Sequence, residues 1–364
     1  MKIIDRYILY RLFLITFYVL IAFFVLYAVY DLLAESGNIG KENYTISTLF
    51  HYVFLRIPIY IYDIFPIASL VGAVITMNRF ADNSEYVIMR SYGTTIKRII
   101  TILCVFALSC AMINLSIGEF LITPSYLSSN MVKHNAQKST NTIVSKNDLV
   151  NKKELWLKSG EYIIRIDDML PDNTLLGIMR YSIDNNNFML KQISTAKSAT
   201  YLENGVWKLN DYQETVLEDN KTNFRQLETE LWHSQITPDI LGVLIIEPNQ
   251  MSISALKDYV KYLKQNKQRT KSYEIARWHK IFYPFIAIPM ALIALAFTPI
   301  ISRGNNMGLR IFLAICLGVS FSFVVRFFNS YAELFNIKPF VAGFAPIVIF
   351  SLIAIVGVIY TNKQ

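Results

Sequence analysis

Long uncharged apolar runs alternate with stretches of ordinary polarity along this 364-residue chain. A helix needs about 20 mostly apolar residues to cross a bilayer. Runs of that length predict three membrane spans before a long polar interval and three after it. The predicted spans are residues 12–30, 57–77, 99–117, 281–301, 311–332 and 340–360.

The polar interval has the pattern of a β domain. Two-residue turns at Ser159-Gly160 and Asn204-Gly205 separate short runs rich in apolar and aromatic residues, and a third turn is expected at residues 184–187. Such turns join neighbouring antiparallel strands, and several short strands in succession predict a sandwich or jelly roll. The expected fold class is therefore membrane α-helical, with six transmembrane helices in a 3+3 arrangement and an inserted all-β jelly-roll domain.

The end of the interval predicts an amphipathic helix. Either Ser252 or Ser254 precedes it as an N-cap, because a serine hydroxyl accepts a hydrogen bond from the first free backbone N–H groups. Helical spacing places four apolar side chains on one face. That face consists of Leu256, Tyr259, Val260 and Leu263.

Lysine and arginine positions predict the orientation of the spans, since cytoplasmic loops carry an excess of these residues. One set of connections and both termini are basic: Lys2, Arg6, Arg11, Arg79, Arg90, Lys97, Arg98, Arg303, Arg310 and Lys363. The opposite short loops have mixed charge: Asp31, Glu35, Lys41, Glu42, Glu333 and Lys338. We expect cytoplasmic termini and an external middle segment, with domains at residues 1–122, 123–270 and 271–364.

Composition agrees with a membrane protein and excludes some alternatives. Hydrophobic residues make up 53% of the chain and charged residues only 17%. The net charge of +8 does not require a nucleic-acid partner, because much of the basic excess flanks the spans. The three cysteines lie in apolar spans, so no disulfide framework is expected.

Candidate catalytic chemistry is missing from the sequence. There is no G-x-x-x-x-G-K-[ST] phosphate loop, no H-E-x-x-H and no G-x-S-x-G. Cys/His spacing suggests no metal site, and paired carboxylates such as Asp167-Asp168 adjoin a predicted turn. We therefore expect no catalytic residues, no metal and no cofactor in this chain.

Residues 79–98, between the second and third predicted spans, contain a short helical pattern that ends at Gly93. Val87 and Ile88, with Tyr86 as a possible third member, form its apolar face, and the polar positions include Asp82, Glu85 and Arg90. Two interpretations remain open. The helix docks into a groove on a partner protein, or it lies on the membrane surface.

Three charged residues lie in or near the predicted spans, where charge is costly and usually faces a bundle interior or a wet cavity. Arg56 and Arg326 lie near span ends, so they either snorkel to the interface or contact an anionic head group. Asp63 lies closer to mid-span, and its side chain is too short to snorkel. Aromatic residues such as Phe24 fit either helix packing or a lipid-lined cavity.

Four sequence motifs occur in an order and spacing that resemble a known family. These are DRY at residues 5–7, FPIASLVGA at 65–73, SEYVIMRSYG at 84–93 and IGE at 117–119. The chain resembles the lipopolysaccharide-export ABC transporter permeases, the LptF/LptG family, over essentially its whole length. TPDILGV at 237–243, SISALKDYVKYLK at 252–264 and ARWHKIFYP at 276–284 are similar to the G-type subunits.

The resemblance implies a permease subunit, not an enzyme, in the bacterial inner membrane. It would form a heterodimer with an F-type sister permease on a cytoplasmic ATPase dimer and pass lipopolysaccharide, by way of a periplasmic jelly roll, to periplasmic bridge proteins. Lipopolysaccharide would enter between the first and fifth spans of the two permeases. The segment at about 79–95 would be the coupling helix on the ATPase, with Glu85 at the family's acidic position. The implied coupling residues are Asp82, Glu85, Tyr86, Arg90 and Gly93.

Substrate contacts transfer less directly, because G-type permeases often carry lysines where the first span ends. Here Ala34 and Glu35 occupy those positions. The candidate substrate-binding residues are Phe24, Asp31, Lys41, Arg56, Lys133 and Arg326, with His134 and Lys138 close to Lys133 in the sequence.

Two other classes of protein are alternatives to this interpretation. A different lipid- or lipoprotein-releasing ABC permease usually has four spans, which the 3+3 pattern does not match. A membrane-embedded enzyme acting on lipid would need a nucleophile or metal constellation.

Overall fold

The computed structural model describes residues 3–41, 43–137, 155–169, 174–184, 189–203, 205–218, 221–234, 236–238, 241, 247–298, 307–335 and 337–363. The chain divides into two compact units. The helical unit comprises Met1–Ser139, Pro248–Lys257 and Thr270–Gln364, and the β unit comprises Thr140–Glu247 and Asp258–Arg269.

The first half of the helical unit contains α1 (Ile3–Ser36), α2 (Ile46–Leu55), α3 (Ile57–Asp82), α4 (Glu85–Ser91), α5 (Ile96–Ser116) and α6 (Ile122–Gln137), with a π-helical turn at Ile117–Leu121 between the last two. The second half follows a 3₁₀ turn at Pro248–Gln250. It contains the first residues of α7 (Ile253–Gln265), whose remainder from Asp258 belongs to the β unit. The elements that follow are α8 (Lys271–Phe282), a 3₁₀ turn at Tyr283–Ile286, α9 (Ala287–Ala296), α10 (Met307–Leu334) and α11 (Pro339–Lys363).

In the part of the chain that the structure describes, six helical segments are long and apolar enough to cross a membrane. They are Ile3–Ser36, Ile57–Asp82, Ile96–Lys133, Lys271–Ala296, Met307–Leu334 and Pro339–Ile359. The prediction of six spans around an inserted β domain is confirmed. The fourth segment begins ten residues before its predicted start at 281, because a polar amphipathic helix leads into the apolar run; residues 299–301 of the predicted span lie outside the described residues.

Helix α2 has no counterpart in the sequence predictions. It is too short to span a membrane. Hydropathy predicts only a connection between two spans at this place in the sequence. The Thr45 side chain caps it by accepting a hydrogen bond from Thr48 N at 3.3 Å. Leu49, Tyr52 and Val53 are buried, so packing against neighbouring helices stabilises this short element.

The core of the helical unit contains buried residues of α1, α3, α5, α9, α10 and α11, and one part of it is the contact between α1 and α3. Ile8 and Leu12 of α1 and Leu70 of α3 are almost fully buried. Gly72 permits this close approach, because a Cβ there would lie 2.7 Å from the Cα of Thr16. The fully buried residues of α1 are all in its first half, from Asp5 to Thr16.

The described residues of the β unit form one six-stranded antiparallel sheet in the order β1-β2-β3-β4-β5-β6. Its strands are β1 (Leu155–Ser159), β2 (Tyr162–Met169), β3 (Leu175–Ile183), β4 (Leu190–Tyr201), β5 (Val206–Glu218) and β6 (Lys221–His233). Each described strand pairs with its neighbour in the sequence, so these strands are arranged as a meander. A jelly roll has, in addition, Greek-key pairing between two sheets. Short turns between consecutive strands favour this neighbour pairing.

The predicted turns coincide with strand ends. Ser159 pairs with Tyr162 across the first turn, where Gly160 has φ +62°. Gly205 has φ +79° just before β5, whereas its turn partner Asn204 lies outside the described residues, as do residues 185–187 of the third predicted turn. Positive φ suits glycine because it has no Cβ.

Helix α7 has the predicted apolar face. Leu256, Tyr259, Val260 and Leu263 are all buried. Of the two candidate caps, Ser252 is the one whose hydroxyl accepts from a helix amide, that of Ala255 at 3.1 Å.

Candidate functional site

Helix α4 is the predicted coupling helix, and the structure separates its buried and exposed sides. Tyr86 is 2% exposed and packs into the core of the helical unit, and this burial raises the pKa of its hydroxyl. Val87 and Ile88 are about half exposed, and Tyr92 just beyond the helix is 83% exposed. Tyr86 therefore anchors α4, and the large apolar side chains left exposed are Val87, Ile88 and Tyr92.

The polar coupling candidates occupy different environments around α4. Asp82 and Arg90 are exposed, and Gly93 ends the segment with φ +82°. Glu85 is half-buried: its carboxylate accepts hydrogen bonds from Tyr7 Oη at 3.0 Å and from Asn83 Nδ2 at 3.2 Å. The hydrogen bond from Tyr7 therefore ties one oxygen of the Glu85 carboxylate to α1.

A second group of candidates converges at the far end of α1. Arg56 Nη1 lies 2.8 Å from Asp31 Oδ2 and donates to Tyr52 Oη at 2.9 Å, and Tyr60 Oη also donates to Asp31. Lys133 Nζ lies 2.6 Å from Glu35 Oε1. We call this the α1 ion-pair cluster; its members are Asp31, Glu35, Tyr52, Arg56, Tyr60 and Lys133.

Two other candidates lie beside this cluster. The Phe24 ring is 6.5 Å from the Tyr60 ring, and Lys41 Nζ donates to Asn38 Oδ1 at 3.1 Å. Asn38 in turn donates to Glu35 at 2.7 Å. Five of the six sequence candidates for substrate binding are therefore brought together, although they come from α1, the end of α2, α6 and the loop after α1.

The charges of the α1 ion-pair cluster balance within the chain. Arg56 and Lys133 are each matched by a carboxylate of α1, and the four charged side chains are between 14% and 28% exposed. Both cations also face the Tyr52 ring, at 5.3 and 5.4 Å from its centroid. Burial raises the pKa of the Tyr52 hydroxyl, so this tyrosine stays neutral and acts as a hydrogen-bonding partner.

Arg326, the sixth candidate, lies elsewhere. It is exposed on α10 and lines a cavity of about 480 Å³ together with Ser272 of α8, Asn329 and Glu333. Asn329 Oδ1 is buried there without a hydrogen-bond partner among the described residues. Asp63 is separate again: its side chain is exposed, and its backbone carbonyl accepts from Tyr283 Oη at 2.8 Å.

Two polar residues missed as candidates hold the start of α7. Glu119, in the π-helical turn, accepts from Ile253 N at 2.8 Å and from Ser254 Oγ at 2.7 Å. Lys280 is 3% exposed, and its ammonium donates to the carbonyl of Met251. The IGE and ARWHKIFYP motifs contain these residues, but only the fold shows which distant groups they contact. Among the residues that the structure describes, no cluster of His, Cys, Asp and Glu fits a metal ion.

The described residues form six helical segments able to cross a membrane, three on each side of an inserted antiparallel sheet, with a short helix between the second and third segments. These features indicate a multi-pass membrane protein. The chain belongs to the family of the lipopolysaccharide export system permeases LptF/LptG, which it matches over residues 6–360.

Individual relatives cover nearly the whole chain. The lipopolysaccharide export system permease protein LptG of Escherichia coli K12 is 28% identical over 358 residues, which is 97% of each chain. The LptG protein of Haemophilus influenzae is 28% identical over 349 residues, 95% of each chain. The predicted family is confirmed, and the alternatives of a four-span permease and of a lipid enzyme are set aside.

Proposed function

We propose that this chain is the G-type permease subunit of an ABC transporter that extracts lipopolysaccharide from the inner membrane and passes it to a periplasmic bridge. The observation that carries the proposal is the similarity to LptG proteins along 97% of the chain. ATP hydrolysis would be supplied by a separate cytoplasmic ATPase, with an F-type permease as the second membrane subunit.

Helix α4 is the proposed contact with the ATPase. Its exposed apolar side chains Val87 and Ile88, followed by Tyr92, suit a hydrophobic groove on a soluble partner. Basic residues in the connections on this side of the membrane support a cytoplasmic location for α4 and both termini. The β unit then lies in the periplasm.

The α1 ion-pair cluster is the proposed contact with the phosphorylated head group. Arg56 and Lys133 supply the cations, but in this structure Asp31 and Glu35 hold them. A phosphate has three acceptor oxygens and more negative charge than a carboxylate, so it competes well for a guanidinium. Binding is therefore an exchange in which lipid phosphate replaces the carboxylates of α1.

Purification from the native membrane in mild detergent tests the proposed function. The tagged chain is expected to bring down a soluble ATPase and a second permease, and the purified complex, reconstituted in proteoliposomes, should release labelled lipopolysaccharide only with ATP. Depletion of the chain should cause lipopolysaccharide to accumulate in the inner membrane. Accumulation of lipoproteins with normal lipopolysaccharide export would contradict the proposal.

A further inference from the structure

Two polar contacts join the first turns of α1 to the beginning of α4 and to the segment that follows it. The Asp5 carboxylate binds the Arg98 guanidinium through two parallel hydrogen bonds, Nε to Oδ1 and Nη2 to Oδ2, both of 2.8 Å. Arg98 is in the first turn of α5, so this contact lies just after α4. Paired bonds of this kind constrain both distance and orientation.

The second contact lies at the beginning of α4. Tyr7, two residues after Asp5, donates its hydroxyl to Glu85 Oε2 at 3.0 Å. Its ring centroid is 5.8 Å from that of Phe80 in the last turn of α3. Tyr7 therefore touches the element before α4 and the first residue of α4 itself.

Helix α4 needs such external support. It has seven residues, and isolated helices of that length are unstable in water. Its N-cap, Ser84, has φ +60° and makes no side-chain capping bond. The position of α4 is thus set by the buried Tyr86 and by the Tyr7–Glu85 hydrogen bond, while Asp5 holds the start of α5.

The far end of α1 has its own polar attachment. Beyond Thr16 the helix has no fully buried residue, and many of its apolar side chains face outward. Asp31 then joins the α1 ion-pair cluster. From Tyr7 to Asp31 the helix covers about 36 Å at 1.5 Å per residue. One continuous helix therefore links α4 to the cluster.

We propose that Asp5 and Tyr7 form a clasp that makes α1 move together with α4, so that events at α4 reach the α1 ion-pair cluster. Both are positioning residues. The inference rests on the proposed function for what α4 and the cluster bind, but the clasp itself is defined by contacts within this chain. It assigns the DRY motif a role in coupling ATP hydrolysis to lipid movement.

Tyr7→Phe is the sharpest test, because it removes only the hydroxyl and keeps the ring beside Phe80. In the reconstituted complex, lipopolysaccharide released per ATP hydrolysed should fall roughly fivefold or more, the lower end of ordinary coupling between sites, while basal ATP hydrolysis persists. Tyr10→Phe is the matched control: Tyr10 is on the same helix and 62% exposed, and its variant should match the parent.

Charge exchange tests the second half of the clasp. Asp5→Arg and Arg98→Asp should each lower the same ratio, and the double variant should recover a large part of it. If Asp5 and Arg98 act independently of each other, the double variant should not recover this ratio. A Tyr7→Phe complex with the parent's ratio, or a double variant no better than the single ones, would overturn the proposal; if the charge variants fail to assemble, Tyr7→Phe alone decides.

Hydrogen exchange separates failure of the clasp from failure of the proposed function. Amides of residues 85–92 in the assembled complex should exchange faster in Tyr7→Phe than in the parent or in Tyr10→Phe. This holds whether or not the parent transports lipopolysaccharide. If the parent shows no transport, the proposed function fails; unchanged exchange of α4 in Tyr7→Phe refutes the clasp in either case.

Discussion

Arg56 and Asp31 form an ion pair with an N–O distance of 2.8 Å, joining the connection between α2 and α3 to the far end of α1. The pair is screened from solvent by Tyr52 and Tyr60, whose hydroxyls bond to its two members. Arg56 is already paired with a carboxylate. Removing Asp31 should therefore raise the affinity for an anionic ligand, whereas removing Arg56 should lower it.

We therefore expect Asp31→Asn to raise the affinity of the purified complex for lipopolysaccharide and Arg56→Gln to lower it. Asparagine keeps the size of the side chain but no longer competes with phosphate for the guanidinium. Binding of labelled lipopolysaccharide, measured at two salt concentrations, checks this. If both variants lower affinity equally, the pair serves only to hold α1.

The two cations of the cluster should share the head-group contact. A hydrogen bond to a charged group contributes roughly 1.5–3 kcal/mol, so Arg56→Ala or Lys133→Ala alone should weaken lipid capture only in part. The double variant should lose more than either single one. Equal capture by all three variants, at equal expression, would mean that these residues only anchor helix ends.

Photocrosslinking can locate the lipid among the sequence candidates. Probes at Lys41, Arg56, Lys133 and Arg326 should each label lipopolysaccharide if phosphate contacts dominate, and the first three report on one region while Arg326 reports on the separate α8–α10 cavity. Crosslinks from Phe24 alone would instead identify a site for acyl chains. That result would contradict the proposal that lipid phosphate replaces the carboxylates of α1.

Glu85 accepts a hydrogen bond from Tyr7 and is also the proposed polar contact with the ATPase, and substitutions can distinguish the observed contact from the proposed one. Glu85→Gln keeps an oxygen that accepts from Tyr7 but removes the negative charge, whereas Glu85→Ala removes both. If the charge contacts the ATPase, both variants should lower transport and ATPase stimulation, alanine more strongly. Normal ATPase binding and turnover in Glu85→Ala would count against α4 as the docking helix. Unchanged thermal unfolding of the β unit is the control for folding.

Glu119→Ala should destabilise the start of α7, because its carboxylate accepts from two backbone amides there, those of Ile253 and Ser254. Loss of a helix cap costs about 0.5–2 kcal/mol. Thermal unfolding in detergent should show this loss, with a smaller one for Glu119→Gln. Ser116→Ala is the control, since among the described residues the Ser116 hydroxyl bonds within its own helix, to Met112 O. An equal shift in the control would contradict the capping role.

Membrane orientation can be checked at two exposed positions in the described residues. A cysteine replacing Glu203, in the loop before β5, should react with an impermeant maleimide added to spheroplasts. A cysteine replacing Tyr92, beside α4, should react only after the membrane is opened. The parent chain, with its own three cysteines, supplies the background. Labelling of the Tyr92 position in intact spheroplasts would contradict the proposed cytoplasmic location of α4.

The sequence by itself determined the spans, the inserted β domain and the apolar face of α7. These features follow from local properties: the length of an uncharged run, the turn at Gly160 between β1 and β2, and the spacing of Leu256, Tyr259, Val260 and Leu263. Each depends on residues a few positions apart, whose contribution does not change with the rest of the fold.

Only the tertiary structure decided which polar residues meet. Asp31 and Arg56 are 25 positions apart, Tyr7 and Glu85 are 78 apart, and Glu119 and Ser254 are 135 apart. No periodicity connects such pairs, because side-chain contacts between distant segments depend on how whole helices pack. Helix α2 was not predicted for the same reason. Its ten residues form a helix because neighbouring helices bury Leu49, Tyr52 and Val53, whereas hydropathy alone indicates only a short apolar connection between spans.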